Sequence, residues 1–191
     1  GPPGETETRI DFLDVGQGLA VLLTTPDHLL AYDTGPGNGL KGEAGLDMVD
    51  GTIQPMIRAT GRKPDLVIVS HGDLDHAGGL ARMMSEFPDA EYLANLPENR
   101  PDIDPCRVPR HWNWDGLQFN VLHPSPALPY RGNDSSCVVS VIGPGISLLL
   151  TGDIGQVVEH RLVQEGLGPH AIMTVPHHGS STSSSQAIID A

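Results

Sequence analysis

The chain has 191 residues, 38% of them apolar. That is enough for one ordinary domain with a sizeable core, and no run approaches the roughly 18 apolar residues of a membrane span. A net charge of −13, with only Lys41 and Lys63 as lysines, excludes a domain that holds polyanions by its overall field, so any nucleic-acid contact must be local or metal-mediated.

Residues 1–7 have neither the basic nor the apolar region of a secretory signal. Residues 1–8 read as a cloning remnant or linker, followed by a single domain over 9–191. Alternation and turn residues predict strands over 9–15, 20–25 and 29–33. A glycine-rich loop over 34–45 leads into helical spacing over 46–60, in which Pro55 is a flaw. Residues 65–70 (DLVIVS) form a nearly continuous apolar strand of the kind buried on both faces. It runs straight into a polar loop over 71–79 and a helix over 80–86. Residues 97–110 are proline-rich and read as irregular. Strands recur over 117–122, 137–142 and 146–151, followed by an amphipathic helix over 156–165 and a strand over 171–175. The last helix begins near Ser185 and stops at Ala191, so the chain reads as an excised piece of a longer protein. No repeat or long linker divides it. The expected architecture is one α/β domain with two sheets and outer helices. Cys106 and Cys137 are too few for a disulfide framework and lack CxxC spacing; one disulfide and two free thiols fit equally.

Three motifs carry chemistry, each directly after a predicted strand, where α/β sheets bind ligands. The densest is Ser70-His71-Gly72-Asp73-Leu74-Asp75-His76-Ala77-Gly78-Gly79. Its four potential ligands, His71, Asp73, Asp75 and His76, converge if the segment is a tight loop. Imidazole with carboxylate suits Zn, Mn or Fe, and extra carboxylate shifts the preference toward harder ions. The second is Leu148-Leu149-Leu150-Thr151-Gly152-Asp153, which puts at the sheet edge a carboxylate able to bridge two ions. The third is Val175-Pro176-His177-His178-Gly179-Ser180-Ser181-Thr182, with one histidine for a metal and one for substrate. Its serines, over 180–185, read equally as a phosphate cradle at a helix N-terminus or as a flexible loop ending in a Ser cap.

In this order, with FLDVGQG (Phe12 to Gly18), YDTG (Tyr32 to Gly35) and NDSSCVVS (Asn133 to Ser140), these motifs resemble the metallo-β-lactamase superfamily over nearly the whole chain. More narrowly, they resemble the soluble C-terminal domain of the ComEC family of competence channels. The resemblance implies a four-layer αββα sandwich, shortened at its C-terminus because family members continue some tens of residues further. It also implies a two-metal site and nuclease action on DNA taken up for natural transformation. The parent would be an inner-membrane channel, with this domain on its periplasmic or extracytoplasmic side and DNA and the channel as partners. One ion would be held by His71, Asp73 and Asp153, the other by Asp75, His76, Asp153 and one of the paired histidines. Resemblance to superfamily phosphodiesterases with a similar pair favours His178 as ligand and His177 as the residue facing substrate. Asp75 and His177 are the expected catalytic residues. Asn133, Ser136, Ser180 and Ser181 are expected at the substrate, and Asp14 is expected to orient a ligand. Asp73 stands where the superfamily has a second histidine, which favours Mn²⁺ over Zn²⁺ or Mg²⁺. The lactamases' third-motif histidine has no clear match, and Leu19 replaces a small acidic residue. His123 resembles a family position and reads as structural. A non-catalytic DNA-guiding module, a small-molecule hydrolase such as a lactamase or thioesterase, and a stand-alone secreted hydrolase are the rival readings.

Overall fold

In a computed structural model, which describes residues 7–37 and 48–191, the central strands are apolar at successive positions because both of their faces are covered. Strands β2 (Val21–Thr24), β3 (Leu29–Tyr32) and β4 (Leu66–Val69) are buried throughout. They sit in a six-stranded sheet in the order β1 (Arg9–Phe12), β2, β3, β4, β5 (Glu91–Ala94), β6 (Asp104–Pro105). Pairing is antiparallel as far as β3 and parallel beyond it. A five-stranded sheet runs β11 (Ile172–Met173), β10 (Ile146–Leu150), β9 (Val138–Gly143), β8 (Leu117–His123), β7 (Arg110–Trp114), with only β10–β11 parallel.

Side chains alternate along these strands and so divide into layers. Leu23, Leu30, Tyr32, Ile68 and Leu93 meet Phe119, Val139, Val141 and Leu150 between the sheets. The alternate residues Leu22, Ala31, Val67, Val69 and Tyr92 pack outward against Ile57, Leu80 and Met83. These belong to helices α1 (Gln54–Thr60) and α3 (Leu80–Glu86); the single turn α2 (Leu74–Ala77) lies beside them. Val138 and Leu149 face the other way, onto Val158 and Leu162 of α4 (Gln156–Gln164) and Ile188 of α5 (Gln186–Ile189). Helix, sheet, sheet, helix is the αββα sandwich.

Several elements differ from expectation. The first strand ends at Phe12. Strands β5 and β7 were not expected, and the irregular 97–110 segment holds the short β6 and the first residue of β7. The 71–79 segment is not all loop, since α2 lies inside it. The helix expected over 46–60 begins outside the described residues. Its described part is a wide π-type turn, Val49–Ile53, leading into α1, where Pro55 falls in the first turn and its missing N–H costs no helical bond. The loop expected over 34–45 lies outside the described residues beyond Gly37. Cys106 and Cys137 are joined by a disulfide that ties the segment after β6 to the start of β9, across the two sheets.

Phe119 stacks on Trp112 at 4.9 Å and meets Trp114 edge-on at 5.4 Å, at full burial. Phe119→Ala leaves a cavity between the sheets and is expected to cost about 3–5 kcal/mol. Urea unfolding measures this, and a loss under 1 kcal/mol would remove this cluster from the core.

Candidate metal centre

The C-terminal ends of β3 and β4 in one sheet and of β10 and β11 in the other open on a single edge of the sandwich. There the chain leaves the hydrogen-bonded ladders, and its side chains are free to converge.

Asp33 follows β3 in the left-handed region, φ 59°, a conformation that Asp tolerates better than most residues. Its buried carboxylate accepts three hydrogen bonds: from Ser70 N at 2.6 Å, Ser70 Oγ at 2.9 Å and His76 Nδ1 at 2.7 Å. The last bond fixes the imidazole tautomer and leaves Nε2 to face the opening. His76 Nε2 lies 3.2 Å from Asp153 Oδ1 and 3.8 Å from Asp75 Oδ2. His178 Nε2 lies 3.2 Å from Asp75 Oδ2 and 3.5 Å from Asp153 Oδ2. One ligand-type atom from each of Asp75, His76, Asp153 and His178 falls within 4.8 Å of the others. His71 is buried beside them, its ring 4.4 Å from that of His76, and its Nε2 is 3.5 Å from the half-exposed carboxylate of Asp73.

The donor set fits divalent cations. His71 Nε2 and His76 Nε2 are buried and have no hydrogen-bond partner among the described residues, a condition that costs about 1–3 kcal/mol per group unless a ligand satisfies it. The electrostatics agree. Burial pulls the His76 pKa down, but Asp33 and Asp153 overcome it and push it up to about 10. Burial raises the Asp153 carboxyl, but His76 and then His178 outweigh it and hold it below the usual range. Burial and the adjacent His76 drive His71 downward. The pocket favours positive charge between its carboxylates.

Packing beneath the site leaves no slack. Gly152 has φ 54°, and a Cβ there would lie 2.7 Å from Ser136 Cβ and 2.8 Å from Ser70 Cβ. Only glycine passes between these serines to deliver Asp153. Ser136, expected at the substrate, is instead fully buried below the site. Its hydroxyl accepts from Asp153 N at 3.0 Å and lies 3.4 Å from His71 Nδ1. Tyr32 Oη donates to Cys137 O at 2.6 Å, and Cys137 N donates to Ser70 O at 2.8 Å, so the disulfide-linked strand is bonded to both β3 and β4 here.

The other expected residues fall as follows. Asp14 is exposed and accepts from Gly16 N at 3.2 Å; it is Asp33 that accepts from the Nδ1 of His76. His177 and His178 both adopt left-handed backbone, φ 48° and 50°, a strain of order 1–3 kcal/mol each that points the two rings differently. His178 joins the cluster, whereas His177 lines a groove of about 660 Å³ with Asn133, Asp153, Ser181 and Thr182. Ser180 Oγ bonds to Thr182 Oγ1 at 3.0 Å, within its own loop. The last two amides of the serine run are not open to phosphate: Glu159, buried on α4, accepts from Ser184 N at 2.6 Å and Ser185 N at 2.7 Å. His123 is buried, donates from Nε2 to Asp134 O at 2.8 Å and meets Arg161 at Nδ1, so it holds the Asn133 loop. Sequence reasoning gave no role to Asp33, Ser70 or Glu159, although YDTG placed Asp33 directly after a strand.

Residues 13–191 match the sequence family described as the metallo-β-lactamase superfamily. The chain belongs to that superfamily. It is 34% identical over 185 residues to Recombination protein 2 of Haemophilus influenzae, covering 95% of this chain and 22% of that protein. To Competence protein ComA of Neisseria gonorrhoeae it is 34% identical over 190 residues, covering 98% and 26%. The chain thus spans about a quarter of the length of these relatives. Among solved structures, a metallo-β-lactamase with a HARLDQ motif from Cronobacter sakazakii superposes with TM-score 0.55 at 20% identity, over 77% of this chain and 60% of that one. BJP-1, a subclass B3 metallo-β-lactamase of Bradyrhizobium japonicum, gives 0.52 at 16%, over 78% and 62%. These two likenesses concern the fold alone. Membership in the superfamily implies a metal-dependent hydrolase with divalent ions.

Three variants test the centre. Asp33→Asn removes a negative charge from behind His76 and is expected to weaken divalent-metal binding about 10- to 100-fold with the fold retained; unchanged affinity by calorimetric titration would refute that role. His178→Ala is expected to lower metal occupancy, whereas His177→Ala keeps it. The reverse pattern would exchange their roles.

Proposed function

We propose that this domain is a two-metal phosphodiesterase that cuts DNA. It would serve DNA uptake for natural transformation as the extracytoplasmic domain of a longer inner-membrane channel. The observation that carries the reading is the His/Asp cluster opening, through Asp153, into a groove walled by Asn133, His177, Ser181 and Thr182. The groove is mixed, with Val157, Gly132 and Gly155 beside these side chains, and its hydrogen-bonding groups are of the kinds that contact phosphate oxygens. The relatives' names, Recombination protein 2 and Competence protein ComA, support DNA as the polymer. The Cys106–Cys137 disulfide supports an oxidising compartment. Among the described residues no helix is long and apolar enough to cross a membrane, so the membrane part would belong to the parent.

His71, Asp73 and Asp153 would hold one ion, and Asp75, His76, Asp153 and His178 the other. When bound, the ions would supply positive charge against the phosphodiester and its leaving oxygen. The side chains do the rest. Asp33 and Ser70 hold His76 in one tautomer. Asp75, partly exposed at the mouth, accepts the proton of the attacking water. His177, on the groove wall within 3.4 Å of Thr182 Oγ1, contacts the scissile phosphate or protonates the leaving oxygen.

Incubation of labelled single- and double-stranded DNA with Mn²⁺, Mg²⁺, Zn²⁺ or EDTA, beside a chromogenic lactam, tests the reading. Metal-dependent DNA cleavage is expected. Lactam turnover without DNA cleavage, or no hydrolysis with any metal, overturns it. Asp153→Ala is expected to lose at least about a thousandfold in rate while remaining folded. The exposed carboxylate of Asp73 makes the site harder than an imidazole would. Mn²⁺ is therefore expected to work best, and Asp73→His to move the preference toward Zn²⁺. Best activity of the unsubstituted chain in Zn²⁺, or an unchanged preference, would refute this.

A further inference from the structure

Positive charge is scarce in this chain, and most of it is committed. Arg9, Arg82, Arg100, Arg110 and Arg161 pair with carboxylates. Arg107 donates to the Ser125 and Leu128 carbonyls. Of the described cations this leaves Arg58, Arg62, Lys63 and Arg131. The first three flank Gly61, ahead of the start of β4, and therefore lie at the end of the sandwich opposite the metal centre. Arg131 is at the centre itself: it is exposed and lines the same groove as Asp153 and His177. No carboxylate or carbonyl engages its guanidinium among the described residues.

Its backbone is held firmly. Arg131 N donates to Ser135 Oγ at 2.6 Å, and the preceding Tyr130 accepts from Gly72 N, in the ligand-bearing segment, at 3.0 Å. Asn95 Nδ2 donates to Ser135 O at 2.6 Å. A ligand therefore has to order only the Arg131 side chain, which keeps the entropic cost of binding low. An exposed guanidinium with no carboxylate partner among the described residues, at the rim of the groove that the cluster opens into, is available to an anion, and its planar fork matches a phosphate.

We propose that Arg131 is a substrate-binding residue that grips a backbone phosphate next to the scissile one. This rests on the phosphodiesterase reading and adds a side-chain cation at the groove of an acidic domain. The contact is to phosphate, so it carries no base preference.

The test compares the unsubstituted chain with Arg131→Gln, Arg131→Lys and Arg58→Gln, the last removing an equal charge from the far end. Anisotropy of a fluorescein-labelled oligonucleotide in EDTA, over a series of KCl concentrations, reads binding without turnover. Cleavage in Mn²⁺ reads kcat and KM separately. Arg131→Gln is expected to weaken binding and raise KM roughly tenfold with kcat little changed. It should also reduce the slope of log affinity against log salt by about 0.7–0.9. Arg131→Lys should restore the slope, and Arg58→Gln should leave it unchanged. Equal slopes for Arg131→Gln and Arg58→Gln, or no measurable binding by the unsubstituted chain, overturn the proposal. Absence of cleavage by the unsubstituted chain overturns the phosphodiesterase reading, while the anisotropy series still decides Arg131.

Discussion

The site depends on one buried carboxylate. Asp33 sits almost wholly out of water with no lysine or arginine bonded to it among the described residues, which would cost several kcal/mol if it were left uncompensated. Compensation comes from the Ser70 amide, the Ser70 hydroxyl and the His76 ring. The same three bonds join the end of β3 to the end of β4 and fix where His76 points. Beyond His76 stands a second carboxylate, Asp153, so the imidazole lies between two negative groups, which push its pKa up to about 10 against the effect of burial. The fold thus places negative charge on both sides of the ring.

The two sheets are coupled at this edge more tightly than burial of apolar surface alone requires. Tyr32 reaches across to the Cys137 carbonyl, the Cys137 amide reaches back to Ser70, and Ser136 supports the amide of Asp153. The disulfide closes a separation of 31 residues at the same place, which in the chain-entropy picture contributes about 3–4 kcal/mol against unfolding. A shift between the sheets would therefore move Asp153 relative to His76, and the geometry of the centre is set by sandwich packing as much as by the loops that carry the ligands.

Much of this was legible in the sequence because the ligand-type residues follow strands directly. The apolar runs before His71 and Asp153 announce buried strands, and a central strand delivers its next residues to the same edge every time. Asp33 and Asp14 show why the remainder was not legible. Both follow strands, but β1 is an edge strand and its following loop is exposed, whereas β3 lies beside β4 in the parallel part of the sheet. Only that pairing, invisible locally, sets Asp33 against Ser70. The end of the serine run is set in the same non-local way: the Ser184 and Ser185 amides are claimed by Glu159, some 25 residues earlier on α4. Strand β7 left little signal in the sequence because it is a half-exposed edge with alternating burial.

Counting the ions that the folded chain binds tests the central claim most directly. The unliganded protein, titrated with Mn²⁺ while free Mn²⁺ is followed by electron paramagnetic resonance, is expected to saturate near two ions per chain, with a rise in Tm that tracks occupancy. Titration without saturable binding, or binding that leaves Tm unchanged, would contradict the view that the buried carboxylates and unpaired imidazole nitrogens form a site made for metal.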